Sequence, residues 1–169
     1  YTDADSVEIF VNGKSVGKAQ VKDYFAKIPC IYEPGELVGV GYDADGQEIY
    51  RTSVRTADAE TVLTVKTDKN ILRAGGQDFC FADVYVTDKN GTVKLLPDYD
   101  VKIEVVGAAS LQGYGSAAYK NAEHYDQHHH KSWQGHLQAV LRSTEKTGLV
   151  TATFTADGCA PAILHLSAE

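Results

Sequence analysis

The sequence has no methionine, one tryptophan, three cysteines and four prolines in 169 residues. Each shortage excludes something. With no initiator and no charged-then-apolar opening segment, the chain starting at Tyr1 reads as an excised fragment whose targeting information lies elsewhere. Cys30, Cys80 and Cys159 are odd in number and none has CxxC spacing, so neither a disulfide framework nor a zinc finger is implied. Each sits among apolar or small residues and is expected to be a small buried hydrophobe. No apolar run approaches the roughly 18 residues that span a bilayer. Basic residues are outnumbered, 16 against 23 acidic, for a net charge of −7. Such a surface repels phosphate backbones and anionic lipid, so neither nucleic acid nor membrane is an expected partner. The motifs GxSxG and HExxH do not occur, and no cysteine neighbours a plausible base. No catalytic residue is assigned and no cofactor is expected.

What is present is the punctuation of an all-β protein. Val7, Ile9 and Val11 alternate along a strand that meets Asn12-Gly13, a strong hairpin signal because both turn positions need positive φ. Lys14 to Val21 returns from it. Residues 27–32 form a further short apolar segment, and Pro34-Gly35 marks a turn. Leu37, Val38, Val40 and Tyr42 make a strand ending at Asp45-Gly46, and Glu48 to Val54 returns. The polar stretch 55–60 predicts a domain boundary, giving domains 1–57 and 58–169. A second strand series follows, at 62–65, 79–86, 101–106, 137–141, 150–154 and 163–166, with breaks at Gly75-Gly76, Asn90-Gly91 and Thr147-Gly148. Short strands with period-2 alternation and no helical periodicity predict two tandem β-sandwich domains.

Residues 112–135 do not fit this pattern. They are polar and rich in Gly, His and Tyr, and are expected to form a long compact loop with one helical turn near 118–123. The loop supplies the candidate sites. His124, His128, His129, His130 and His136 lie close in sequence, beside Glu123 and Asp126. Imidazole and carboxylate together can hold zinc, nickel or copper, with His124, His128 and His130 as candidates. Adjacent histidines diverge unless the backbone bends, so a solvated loop without metal is the expectation. Tyr114, Tyr119, Tyr125 and Trp133 are candidates for stacking on sugar rings; the competing role for Trp133 is to plug the sandwich end and anchor the loop.

Three motif matches fail on context. Gly113-Tyr114-Gly115-Ser116-Ala117-Ala118 lacks the βαβ surroundings of a dinucleotide fingerprint. Asp43-Ala44-Asp45-Gly46 would need glycine and glutamate where Glu48 and Val54 stand, so it is a turn and not a calcium loop. Asn90-Gly91-Thr92 is a formal glycosylation sequon on a turn.

The stretch SVEIFVNGKSVGKAQV followed by IYEPGELVGVGYDADGQEI resembles a C-terminal β-sandwich domain of glycoside hydrolase family 2, which includes β-galactosidases. LTVKTDKNILRAGGQDFCFADVYVTDKNG, IEVVGAASLQGYGSA and KSWQGHLQAVLRSTEKTGLVTATFTADG are similar to the bacterial immunoglobulin-like module that ends such enzymes. The resemblance covers nearly the whole chain through structural motifs, and implies an all-β chain of two tandem immunoglobulin-like β-sandwich domains, the first shortened at its N-terminus. It implies a bacterial β-galactosidase-like parent, extracellular or periplasmic in preference to cytoplasmic. That parent carries its catalytic glutamates on a barrel that no part of this chain matches. The expected role is that of non-catalytic accessory domains, whose partners are the remaining domains of the parent and, through 112–135, polysaccharide. A carbohydrate-binding module using loop 112–135 and a cell-surface adhesion or spacer module are the alternatives.

Overall fold

A computed structural model describes all 169 residues, which form strands and loops without a helix. The chain divides into two units, Tyr1–Ala57 and Asp58–Glu169.

The first unit is a four-stranded antiparallel sheet. Its strands are β1 (Ser6–Val11), β2 (Lys14–Gln20), β3 (Glu36–Tyr42) and β4 (Glu48–Arg55), in the order β2-β1-β3-β4. Asn12 and Gly13 both take positive φ, 50° and 79°, so the β1–β2 turn has the handedness that two-residue hairpins require. Register places Val7, Ile9 and Val11 beside Gly41, Gly39 and Leu37, with Tyr50, Thr52 and Val54 beyond them. That row is one face of the sheet. Residues 27–32, expected as a further apolar segment, form no strand; Ile31 and Tyr32 are exposed, and so is Cys30, contrary to its expected burial. Pro29 lies within this run and Pro34 just after it, and both suit an irregular connection. Ala4, Val11 and Val40 are the buried apolar side chains of the unit. One layer gives its apolar face little to pack against.

The second unit is a two-sheet sandwich. One sheet contains β5 (Val62–Thr67), β7 (Phe79–Thr87), β11 (His136–Ser143) and β9 (Ala109–Gly115), in that order. The other runs β10 (His129–Lys131), β8 (Asp100–Gly107), β12 (Gly148–Thr155), β13 (Ala162–Ala168) and β6 (Ile71–Leu72). All pairings are antiparallel except β6 with β13. Alternate residues face inward. Cys80, Ala82, Val84 and Val86 of β7 and Leu137, Ala139 and Leu141 of β11 face Val101 and Ile103 of β8 and Val150, Ala152 and Phe154 of β12. Most of these side chains are wholly buried. Each large aliphatic or aromatic one contributes roughly 1.5–3 kcal/mol by leaving water.

Carboxylates tie the corners. Asp78 accepts from the Arg73 and Phe79 amides, 2.8 and 3.0 Å, and from Lys69 Nζ at 2.9 Å. The Arg73 amide first, and then the Lys69 ammonium, hold its carboxyl down at about 2. Asp88 accepts from the amides of Asn90, Thr92 and Asp58 and shapes the turn after β7.

Candidate functional site

The segment 112–135 is shorter as a loop than its composition suggests. Residues 112–115 complete β9 and 129–131 form β10, leaving 116–128 and the short turn 132–135 as the irregular parts, with no helical turn at 118–123. Gly113 and Gly115 disguise the strand. They stand on the outer face of their sheet, and a β-carbon on Gly115 would clash with the edge of the Tyr125 ring.

The loop is organised by His130, which is wholly buried. Asn121 Oδ1 accepts the Glu123 amide at 2.8 Å, which fixes the amide group and turns Nδ2 toward His130 Nε2, also at 2.8 Å. Nε2 is therefore the acceptor, and the ring proton belongs on Nδ1. Nδ1 lies 3.0 Å from the Lys131 carbonyl and 3.2 Å from Glu123 Oε2. Glu123 in turn accepts the Lys131 amide at 3.1 Å. The Tyr125 ring lies parallel to the His130 ring, centroids 5.8 Å apart and planes 7° apart, and the Tyr125 carbonyl accepts the Tyr114 amide at 2.7 Å. A buried polar side chain with both ring nitrogens engaged can fix a loop in one arrangement.

Of the four aromatic candidates, Tyr114 is misplaced by sequence reasoning. It is 1% exposed and points between the sheets against Phe154 and the edge of His130, so it offers no surface for a sugar ring. Burial pushes its phenol far above the usual range. The inward phase of β9 decides this, because Tyr114 pairs with the inward-facing Ala139. Tyr119 is exposed and meets Trp133 edge-on at 5.8 Å. Trp133 is half-buried beside the tight turn at Gln134-Gly135. Tyr125 packs on His130 and stays 58% exposed.

The histidines have separate partners. His128 Nδ1 meets the Ile103 carbonyl at 3.3 Å, His129 Nδ1 meets Asp100 Oδ1 at 3.5 Å and His136 Nε2 meets Asp83 Oδ1 at 3.1 Å. His124 is exposed. The structure does not bring His124, His128 and His130 together, and no three His, Cys, Asp or Glu side chains converge in metal-ligand geometry.

Pairing that sequence reasoning missed lies on the outer face of β7 and β11. Asp83 Oδ1 accepts from Gln138 Nε2 at 2.9 Å as well as from His136, and Tyr85 stacks on His136 at 4.7 Å. The alternation of Asp83 and Tyr85 with Ala82, Val84 and Val86 was a legible signal that these side chains share the outer face.

Comparison with known proteins follows this architecture closely. Residues 63–165 match the model for glycoside hydrolase family 2 C-terminal domain 5, and residues 1–50 match a domain of unknown function (DUF4982). The whole chain is 30% identical to a β-galactosidase of Bacteroides ovatus, spanning 20% of that protein. Over 67 residues, 37% of the chain, it is 39% identical to a protein of Formosa agariphila described as a putative β-glucuronidase, covering 6% of that protein. A solved glycosyl hydrolase family 2 member from Bacteroides cellulosilyticus superposes with a TM-score of 0.92 at 23% identity, over 99% of this chain and 22% of that one. The likeness in fold thus covers both units, and the chain spans about a fifth of the length of the relatives that match it throughout. On the match at 63–165, the chain belongs to glycoside hydrolase family 2, within the part of the family that forms its C-terminal domains.

Proposed function

We propose that this chain is a non-catalytic accessory part of a β-galactosidase-like enzyme, in which it packs with the enzyme's remaining domains. The observation that carries the reading is the match of residues 63–165 to a C-terminal domain of the family, in a chain that spans 20% of its β-galactosidase relative. The chemistry agrees. A glycosidase needs two carboxyls across an enclosed pocket, one of them with a raised pKa so that it can protonate the leaving group. A groove on the second unit does have two carboxylates in its lining, Asp78 and Glu169. Asp78, however, is held down at about 2 by the Arg73 amide and Lys69, the opposite of what a general acid requires. The sandwich interior is filled by side chains and leaves no room for a sugar.

The purified chain is expected to release no nitrophenol above the buffer blank from nitrophenyl β-galactoside, β-glucoside or β-glucuronide. Turnover that survives repeated purification and is lost in Asp78→Asn or Glu169→Gln would overturn the reading.

A further inference from the structure

The outer face of the β5-β7-β11-β9 sheet holds a groove of about 440 Å³ lined by Gly113, Gly115, Ser116, Tyr125, His136 and Gln138 among others. Its size falls in the range of small-molecule sites, roughly 300–1,000 Å³. Three of its properties are unusual for an ordinary sheet surface. First, the floor is shallow: Gly113 contributes no side chain, and the absence of one on Gly115 lets the Tyr125 ring pack directly over β9. Second, an aromatic ring is exposed yet fixed. Tyr125 is 58% exposed, but it rests on the buried His130 ring and its carbonyl is bonded to β9. Exposed tyrosines otherwise lose conformational freedom when they bind. Third, the polar wall is pre-set. Asp83, a positioning residue behind the groove, holds both Gln138 and His136, and Tyr85 holds the other side of the His136 ring. With Nε2–H donating to Asp83, His136 Nδ1 is an acceptor, and neither it nor Gln138 Oε1 has a partner within the chain. The Ser116 hydroxyl has none either, but it is buried beneath the groove and not open to it.

We infer that this groove binds a carbohydrate ring. A pyranose has an apolar face of C–H groups, which suits the electron-rich face of a fixed tyrosine, and an edge of hydroxyl donors, which suits the acceptors on His136 and Gln138. The site differs from the loop site expected from sequence: Tyr125 is retained, Tyr114 is buried, and Tyr119 and Trp133 are not in its lining. The inference goes beyond the accessory role, since a module inert toward glycosidic bonds can still hold glycan. Only the choice of β-galactosides as first probes rests on the proposed function.

The test is an NMR titration of the full isotope-labelled chain with β-linked galacto-, gluco- and xylo-oligosaccharides and a β-glucuronide, each to about 10 mM. Shifts confined to residues 113–116, 125, 136 and 138 are expected with at least one of them. Tyr125→Ala and Gln138→Ala should each weaken that binding at least about tenfold with an otherwise unchanged amide spectrum. Gly115→Ala, which moves the Tyr125 ring, should weaken it comparably. Absence of shifts with all four sugars, shifts elsewhere, or full affinity in Tyr125→Ala would each overturn the inference. The nitrophenyl-glycoside result is unaffected by any of these, so the two proposals fail separately.

Discussion

Replacing His130 by alanine tests whether one buried imidazole holds the 116–128 loop. The change removes the acceptor for Asn121, the donor toward Lys131 and Glu123, and the surface on which Tyr125 rests. A net neutral hydrogen bond contributes about 1 kcal/mol, and a stacked ring pair roughly 0.5–1.5 kcal/mol beyond its burial. Two bonds and one stack give a loss of about 3 kcal/mol. A sandwich of this size has a total stability of roughly 6–17 kcal/mol, so the variant should stay folded. Its melting midpoint should fall by about 10 °C. Hydrogen exchange resolves the mechanism. Amides at 116–128 should lose protection, while those of β7, β11 and β12 keep theirs relative to global stability. His130→Gln, which retains a donor and an acceptor, should recover part of the loss. A midpoint within about 2 °C of the parent, with unchanged loop protection, would refute the reasoning and assign the anchoring to the Tyr119–Trp133 contact.

Three further outcomes follow from other parts of the fold. Asp78→Asn should lower the melting midpoint at neutral pH. Because the folded carboxyl lies at about 2, below its unfolded range, its contribution is present above pH 4 or so and fades as pH falls toward 2. The gap between parent and variant should therefore close on acidification, and a gap constant from pH 7 to 2 would contradict the assignment. Gly107→Ala should cost about 2 kcal/mol or more, because φ is +108° and the new methyl would meet the Leu149 carbonyl; chemical denaturation measures it, and a neutral result would be inconsistent with this backbone. Expressed alone, residues 58–169 should unfold cooperatively, whereas residues 1–57 should not, since their buried apolar side chains number only three. A sharp calorimetric transition for 1–57 would show that one sheet suffices.

How much of this was readable beforehand depended on whether the deciding force was local. Asn12-Gly13 and Asp45-Gly46 announced their hairpins because asparagine and glycine accept positive φ locally, as Asn12, Gly13 and Gly46 do. The long inward rows of β7, β11 and β12 showed in their alternation. Three strands were not legible. β6 has two residues and exists through its parallel partner. β9 carries two glycines that a strand ordinarily disfavours. β10 is His-His-Lys and is held by pairing with β8 while it turns His130 inward. The candidate site suffered for the same reason. Tyr114 looked like a loop aromatic because the strand around it was hidden, and Asp83, His136 and Gln138 come together only across two strands far apart in sequence.

The pairing of β6 with β13 has a consequence for synthesis. Ile71 and Leu72 are among the first residues of the second unit to leave the ribosome, yet their partners, Ser167 and Ala168, are among the last. β13 also sits inside its sheet, between β12 and β6. Until residues 162–168 have been made, one layer of the nascent sandwich has a gap beside β12, and Leu72, wholly buried in the finished protein, has no strand to lie against. Chains emerge at roughly 5–20 residues per second, so this vulnerable interval lasts seconds. A cell making the protein must shield the half-built sheet for that time, and a stop codon before residue 162 would leave it open permanently.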